Sequence, residues 1–297
     1  MNWVPFLFFD DVCHRLTKPA FNQVSQLSGC WPSFEHSEKR RELQFRCELN
    51  GNQVRYSLWE PNWYPREVTV EDLNLEFDRI TDLAFESVSS NNPGVYRRVN
   101  RASLREFERV VLPTIAPLVT NCSWPYLSPK RRDQNRFFFN AFKNCDGLNE
   151  ITFEEQGQES RDFIARQVKL GNVQTLKLSG TGKWPEAENL AETLKKFVTS
   201  ARFHQLNSPG LLIHHYKLFE LFLERALANE LKPGAYIVTQ TRNFNKSRLL
   251  ALHPECRDYS GKSEWRIPNS NLRIALRHRV TDMIYGYGRD QITMEVE

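Results

Sequence analysis

Apolar positions in the first forty residues recur at a helical interval. After Pro5 they fall at Phe9, Val12, Cys13 and Leu16, the i, i+3, i+4, i+7 stripe that one face of a helix presents. Thr17 then stands as the N-cap of a second short helix, with Pro19 early enough to be tolerated. Phe21, Val24 and Leu27 make its buried stripe, Gly29 closes it and Trp31 follows. From Leu43 the period drops to two. Leu43, Phe45, Cys47 and Leu49 alternate with Gln44, Arg46 and Glu48, Asn50-Gly51 is a hairpin turn, and Val54, Tyr56 and Leu58 return on the other side. An irregular connection around Trp59, Trp63 and Pro65 precedes a strand near Ile80 to Phe85.

Asn91-Asn92-Pro93-Gly94 reads as a loop. A helix is predicted from Ala102 to Ile115, with Leu104, Phe107, Val110 and Val111 on one face, and another from Asp133 to Lys143, where three consecutive phenylalanines imply burial on more than one side. Between 147 and 206 the chain repeats itself. Leu148, Ile151 and Phe153 match Val173, Leu176 and Leu178 at a 25-residue offset, each set forming an L-x-x-L-x-L-like strand. Helices follow them, Ser160 to Lys169 and Glu186 to Ser200, and Phe203-His204-Gln205-Leu206 opens a third, shorter strand. One strand and one helix every 20–29 residues or so is the period of a leucine-rich repeat. Beyond it come a helix from Leu212 to Asn229, a strand over Ala235 to Thr239, and strands in the last thirty residues marked by Leu272, Ile274 and Leu276, then Ile284, Ile292 and Met294.

Composition bounds this picture without choosing a partner. The 297 residues are 40% hydrophobic, and 40 Lys and Arg stand against 36 Asp and Glu, a surplus too thinly spread to argue for nucleic acid or an anionic membrane. The six cysteines, at 13, 30, 47, 122, 145 and 256, form no C-x-x-C and read as buried reduced thiols. The apolar run Trp3 to Phe9 stops at Asp10-Asp11 with no basic residue before it, unlike a signal peptide. No stretch approaches the ~18 apolar residues of a membrane span. The expectation is a soluble intracellular protein, cytoplasmic or nuclear, that contacts no membrane.

Candidate chemistry is thin. Ser179-Gly180-Thr181-Gly182-Lys183 has the strand-to-helix context of a phosphate loop, but Lys177 stands where the pattern needs glycine and Trp184 where it needs a hydroxyl. His214-His215 are adjacent, so on a helix they point about 100° apart and do not grip one metal. Pro129-Lys130-Arg131-Arg132 with Arg136 is the best case for nucleic acid, yet the phenylalanines beside it fall at helical density and the run reads as a solvated basic face. No nucleophile elbow or cysteine signature occurs. The chain is therefore not read as an enzyme, and no catalytic residue, cofactor or metal is expected.

The opening helices are too short to be stable alone, so their apolar faces need cover from this chain or from another. Val4-Pro5 followed by Phe9, Val12 and Leu16, then Phe21, Val24 and Leu27-Ser28-Gly29-Cys30-Trp31, resembles the F-box, with valine in place of the leucine of its L-P pair. The rest of the chain is similar to the nematode F-box-like proteins with a degenerate leucine-rich-repeat-like body, on Glu159-Ser160, Phe163-Ile164, Leu176 to Gly180, Trp184-Pro185, Phe197-Val198 and Phe203 to Leu206. That resemblance implies an α/β chain: an F-box-like helical module over 1–40, then a body over 41–297 made of a hairpin and an irregular repeat-like strand and helix array. It implies an adaptor of a Skp-cullin-F-box ubiquitin ligase, with Pro5, Phe9, Val12, Leu16, Phe21, Val24, Leu27 and Trp31 binding the Skp-type subunit. The body would hold a protein substrate; repeat folds use their concave strand side, but polar positions there such as Thr152, Gln174, Thr175 and Lys177 carry no specificity signal. The alternatives are a stand-alone protein-binding scaffold with a vestigial F-box and, further off, an enzyme whose site assembles from distant residues.

Overall fold

The structure is a computed structural model, and it describes residues 41–61, 66–85, 99–124, 132–154, 157–179, 188–212, 216–241, 246–252, 256–259, 262–281 and 289–297. Strands and helices are interspersed along the chain, so the class is α/β, with mixed parallel and antiparallel pairing. The described residues fall into two compact units: the chain up to Leu83 with Ser87–Val119, and Ala84–Glu86 with Thr120–Glu297.

In the first unit the alternating stretch forms the expected hairpin, β1 (Glu42–Asn50) and β2 (Gln53–Glu60), in antiparallel register with Phe45 opposite Leu58 and Leu49 opposite Val54. The pair Asn50–Gln53 closes the hairpin, so its two loop residues are Gly51-Asn52, one position beyond the expected Asn50-Gly51. Gly51 at φ +58° supplies the positive φ that the first central position of a II′ turn requires. Leu43, Phe45 and Cys47 are buried as the period demands, and the Phe45 and Tyr56 rings stack at 5.8 Å. Along its other edge β2 pairs first with β5 (Asn100–Ser103) and then with the two-residue β3 (Arg66–Glu67), while β4 (Arg79–Phe85) lies beside β1.

The predicted helix over 102–115 is displaced and composite. Ala102 and Ser103 belong to β5, and the Ser103 hydroxyl caps α1 (Leu104–Glu106) by accepting from the Glu106 N–H at 3.2 Å. A π-helical turn, Phe107–Val111, follows, then α2 (Leu112–Ile115) and a 3₁₀ turn, Ala116–Leu118. Pro113 has no N–H for the preceding turn, and the Leu112 N–H reaches back to the Phe107 carbonyl instead. The wider turn rotates the buried stripe to Phe107, Val111, Ile115 and Leu118, leaving Val110 56% exposed rather than on the apolar face.

The second unit is built on repetition. Its chain order is β6 (Asn121–Trp124), α3 (Arg132–Phe142), β7 (Glu150–Glu154), α4 (Gln158–Leu170), β8 (Thr175–Ser179), α5 (Glu188–Val198), β9 (Gln205–Leu212), α6 (Tyr216–Leu227) and β10 (Tyr236–Thr241). Strands β6 to β10 pair parallel in sequence order. The 25-residue repeat read from the sequence is the register itself, Ile151 lying opposite Leu176 and Phe153 opposite Leu178. The hydrogen bonding repeats with it. The Thr120 carbonyl accepts from Asn149 and Glu150, that of Asn149 from Gln174 and Thr175, and that of Gln174 from His204 and Gln205. Where sequence reading starts a helix at Leu212, the chain is still in β9, and the helix begins at Tyr216.

Successive helices α3 to α6 touch one another, so they form one layer over one face of the sheet. Beneath that layer runs a row of register partners, Cys122, Ile151, Leu176, Leu206 and Ile237, all with 1% exposure or less. Burying each large aliphatic is worth about 1.5–3 kcal/mol. Aromatic pairs extend the core, Phe139 on α3 meeting Phe163 on α4 at 5.4 Å and Phe203, after α5, meeting Phe197 of α5 at 5.2 Å and Phe222 of α6 at 6.1 Å. Two long side chains tie helix ends across the layer: buried Gln167 donates to the Phe142 and Lys143 carbonyls, and Arg225 to those of Val198 and Ser200.

The sheet then turns antiparallel. Strand β14 (Arg289–Val296) pairs with β10, β13 (Arg273–Thr281) with β14, β12 (Lys262–Arg266) with β13, and β11 (Arg257–Tyr259) with β12. The expected strands are present at Ile274 and Leu276 and at Ile292 and Met294, Leu272 precedes β13 and Ile284 lies outside the described residues; Met294 and Leu276 prolong the buried row from Ile237. Between the two sets lies α7 (Lys246–Leu252). Among the described residues no helix is long and apolar enough to cross a membrane.

Candidate functional site

The eight residues assigned to a Skp-type partner, Pro5, Phe9, Val12, Leu16, Phe21, Val24, Leu27 and Trp31, lie outside the described residues. So do the glycine-rich positions 180–183, His214-His215 and the basic run 129–131, whereas Arg136 stands exposed on α3. The site that can be built from the structure is the face of the second unit's sheet opposite its helices.

Period-two alternation dictates that face. Because Ile151, Leu176, Leu206 and Ile237 point to the helix layer, their neighbours along each strand point away. One row of register partners is Glu150, Thr175, Gln205, Tyr236, Glu295 and Ala275, and the next is Thr152, Lys177, Asn207, Val238, Thr293 and Arg277. Most of these side chains are partly exposed; Thr175 and Ala275 are buried. Of the four polar positions singled out in the sequence, Thr152 and Lys177 are on this face and open, Thr175 is on it but closed over, and Gln174 precedes the strand.

The charges on the face are arranged in opposite-sign pairs across strands. Lys177 Nζ lies 2.5 Å from Glu150 Oε1, and Arg277 meets Glu295 at 3.0 Å and also Glu297. Lys262 lies between Glu264 at 2.6 Å and Glu297 at 3.0 Å. Its hydrogen bond to Glu264 is the main cause that lifts the Lys262 ammonium above its usual range, and the same bond holds the Glu264 carboxyl below the ordinary one. Such half-exposed pairs contribute little stability each. They stand at the two ends of the face and leave an uncharged centre of Gln205, Tyr236, Asn207, Val238 and Thr293. A tyrosine beside two amides offers rigid contact area and adaptable hydrogen bonding, the composition of a protein-binding patch.

Sequence reading passed over Tyr236, Val238, Gln205 and Asn207, although the alternation of 205–208 and 235–239 carries the signal. Among the described residues no group of three or more His, Cys, Asp or Glu is placed to hold a metal. The described cysteines are free thiols, and burial pushes Cys145 up to about 12 and Cys47 well above the ordinary range, which removes the thiolate a nucleophile needs. What the arrangement can do is hold another macromolecule against a polar sheet. No protein family, curated protein or solved structure matches this chain.

Proposed function

We propose that the chain is a substrate-recruiting adaptor of a Skp-cullin-F-box ubiquitin ligase, in which residues 1–40 dock on the Skp-type subunit and the body holds a protein substrate. The observation that carries this reading is the sequence spacing from Pro5 through Phe9, Val12, Leu16, Phe21, Val24 and Leu27 to Trp31, which predicts two short apolar stripes that need a cover. Support for the body's role comes from its parallel strands in sequence order, its single helix layer and its open polar face, an arrangement that resembles a short leucine-rich-repeat array, whose strand side is its binding surface. The adaptor contributes contacts and no catalysis, and it takes no cofactor.

The test is co-expression with a Skp-type subunit, followed by size-exclusion chromatography. Co-elution that is lost in a Pro5→Ala/Leu16→Asp variant is the expected result. A folded, monodisperse chain that never co-elutes would sink the adaptor and leave the second reading, a stand-alone binding scaffold that uses the same open face.

A further inference from the structure

A second surface lies on the helical layer of the same unit, away from the open sheet face: a groove of about 360 Å³ between α3 and α4. Both helices connect parallel strands, so they run in the same direction and their turns stand side by side. Phe139 and Phe163 form the floor at mid-height, 4% and 2% exposed. One turn further toward the C-terminal ends stand Lys143 and Arg166, both exposed, and one turn back stands Arg136.

The three cations of this groove stand against two carboxylates, and unlike those of the sheet face they form no ion pair among the described residues. Among the described residues Arg136, Lys143 and Arg166 have no carboxylate within 4.0 Å, and Arg166 has only a marginal hydrogen bond to the Asn144 amide oxygen at 3.4 Å. Of the two carboxylates in the groove, Asp162 stands one turn before Arg166 and accepts from the Gln158 amide at 2.7 Å, and Glu159 belongs to the first turn of α4, at the opposite end from Lys143 and Arg166. The Lys143 and Arg166 end therefore presents two cations without an ion-pair partner above an aromatic floor. The geometry points to this groove as a docking site for an acidic segment of a partner protein. A carboxylate side chain of that segment sits between Lys143 and Arg166, and an apolar or aromatic one lies over Phe139 and Phe163. The site does not depend on residues 1–40, so it stands or falls separately from the adaptor reading.

Fluorescence anisotropy on the full chain tests it. The probe is a fluorescein-labelled peptide with a phenylalanine flanked by glutamates, and its twin carries glutamines in their place. The acidic peptide binds saturably at low salt, the glutamine twin at least about tenfold more weakly, and Lys143→Glu or Arg166→Glu weakens the acidic peptide by about tenfold or more. Both substituted residues are exposed, so circular dichroism should be unchanged, and Lys169→Glu, on the same helix but outside the groove, should bind as the parent does. Absence of saturable binding, equal binding of the two peptides, or an equal loss in Lys169→Glu would overturn the site.

Discussion

Asp78 has no exposed surface, and its carboxylate is held on every side. It accepts from Arg41 Nε at 2.8 Å, from Arg41 Nη2 at 2.6 Å and from the Asn74 N–H at 2.8 Å. Removing one partner of a buried pair leaves the other uncompensated, and because Arg41 keeps some contact with water the cost falls at the lower end of the usual range. Asp78→Ala should destabilise by about 3 kcal/mol, read as a fall in the urea midpoint at unchanged slope; a loss under about 1 kcal/mol would show that the pair is replaceable by water. His204 gives a pH-dependent counterpart. Burial, reinforced by the nearby charge of Lys232, lowers its pKa, so the fold favours the neutral ring. The unfolded chain binds the proton more readily, so this contribution is complete above the unfolded value of about 6.5 and is lost as pH falls below it toward the folded value. The melting temperature of the parent should drop more steeply between about pH 7 and 5 than that of His204→Gln. Parallel profiles would remove His204 from the account.

At the scale of the element, α4 ends at Gly171, whose φ of +79° lets its N–H reach the Gln167 and Val168 carbonyls. A Cβ added there would meet nothing within 4 Å, so the cost of Gly171→Ala is conformational alone, about 1 kcal/mol, while Gly171→Asn should recover part of it. Chemical denaturation of the two variants measures the difference, and equal losses would mean that the cap, not the φ, carries the cost. That glycine follows the predicted end of the helix at Lys169, and part of the repeat is legible in the sequence: Leu148, Ile151 and Phe153 against Val173, Leu176 and Leu178 give the register of β7 and β8. The copies at β6 and β10 are less legible because the aliphatic signature is diluted by Cys122 in the first and by Gly234 and Thr239 in the second. The π turn at Phe107–Val111 lay beyond pattern reading for another reason. Period counting assumes 3.6 residues per turn, and Pro113 breaks the ladder that fixes that number. The open face is hardly legible in the sequence: Thr152 and Lys177 are polar positions on strands without a specificity signal, and the uncharged centre around Tyr236 emerges only when β9, β10 and β14 are set side by side.

For the molecule as a whole, the second unit joins a parallel array to an antiparallel set, and what unites them is one buried row. Its members run from Cys122 through Ile151, Leu176, Leu206, Ile237 and Met294 to Leu276 without an exposed residue between them. In a repeat array each strand is supported by its nearest neighbours, so a break at one strand is felt by the next and passes along the row if the interfaces are strong. Ile237 is the joint, with Leu206 on its parallel side and Met294 on its antiparallel side. Ile237→Ala should cost about 2–5 kcal/mol by the usual cavity and transfer contributions. If the row makes the unit cooperative, amide exchange should accelerate by the same factor at Leu176, three strands into the parallel set, and at Leu276, on the antiparallel side. Acceleration confined to β10 and β14 would mean that the two halves open independently. The open face would then be two adjoining surfaces rather than one, and a partner centred on Tyr236 would bridge a hinge instead of resting on a rigid sheet.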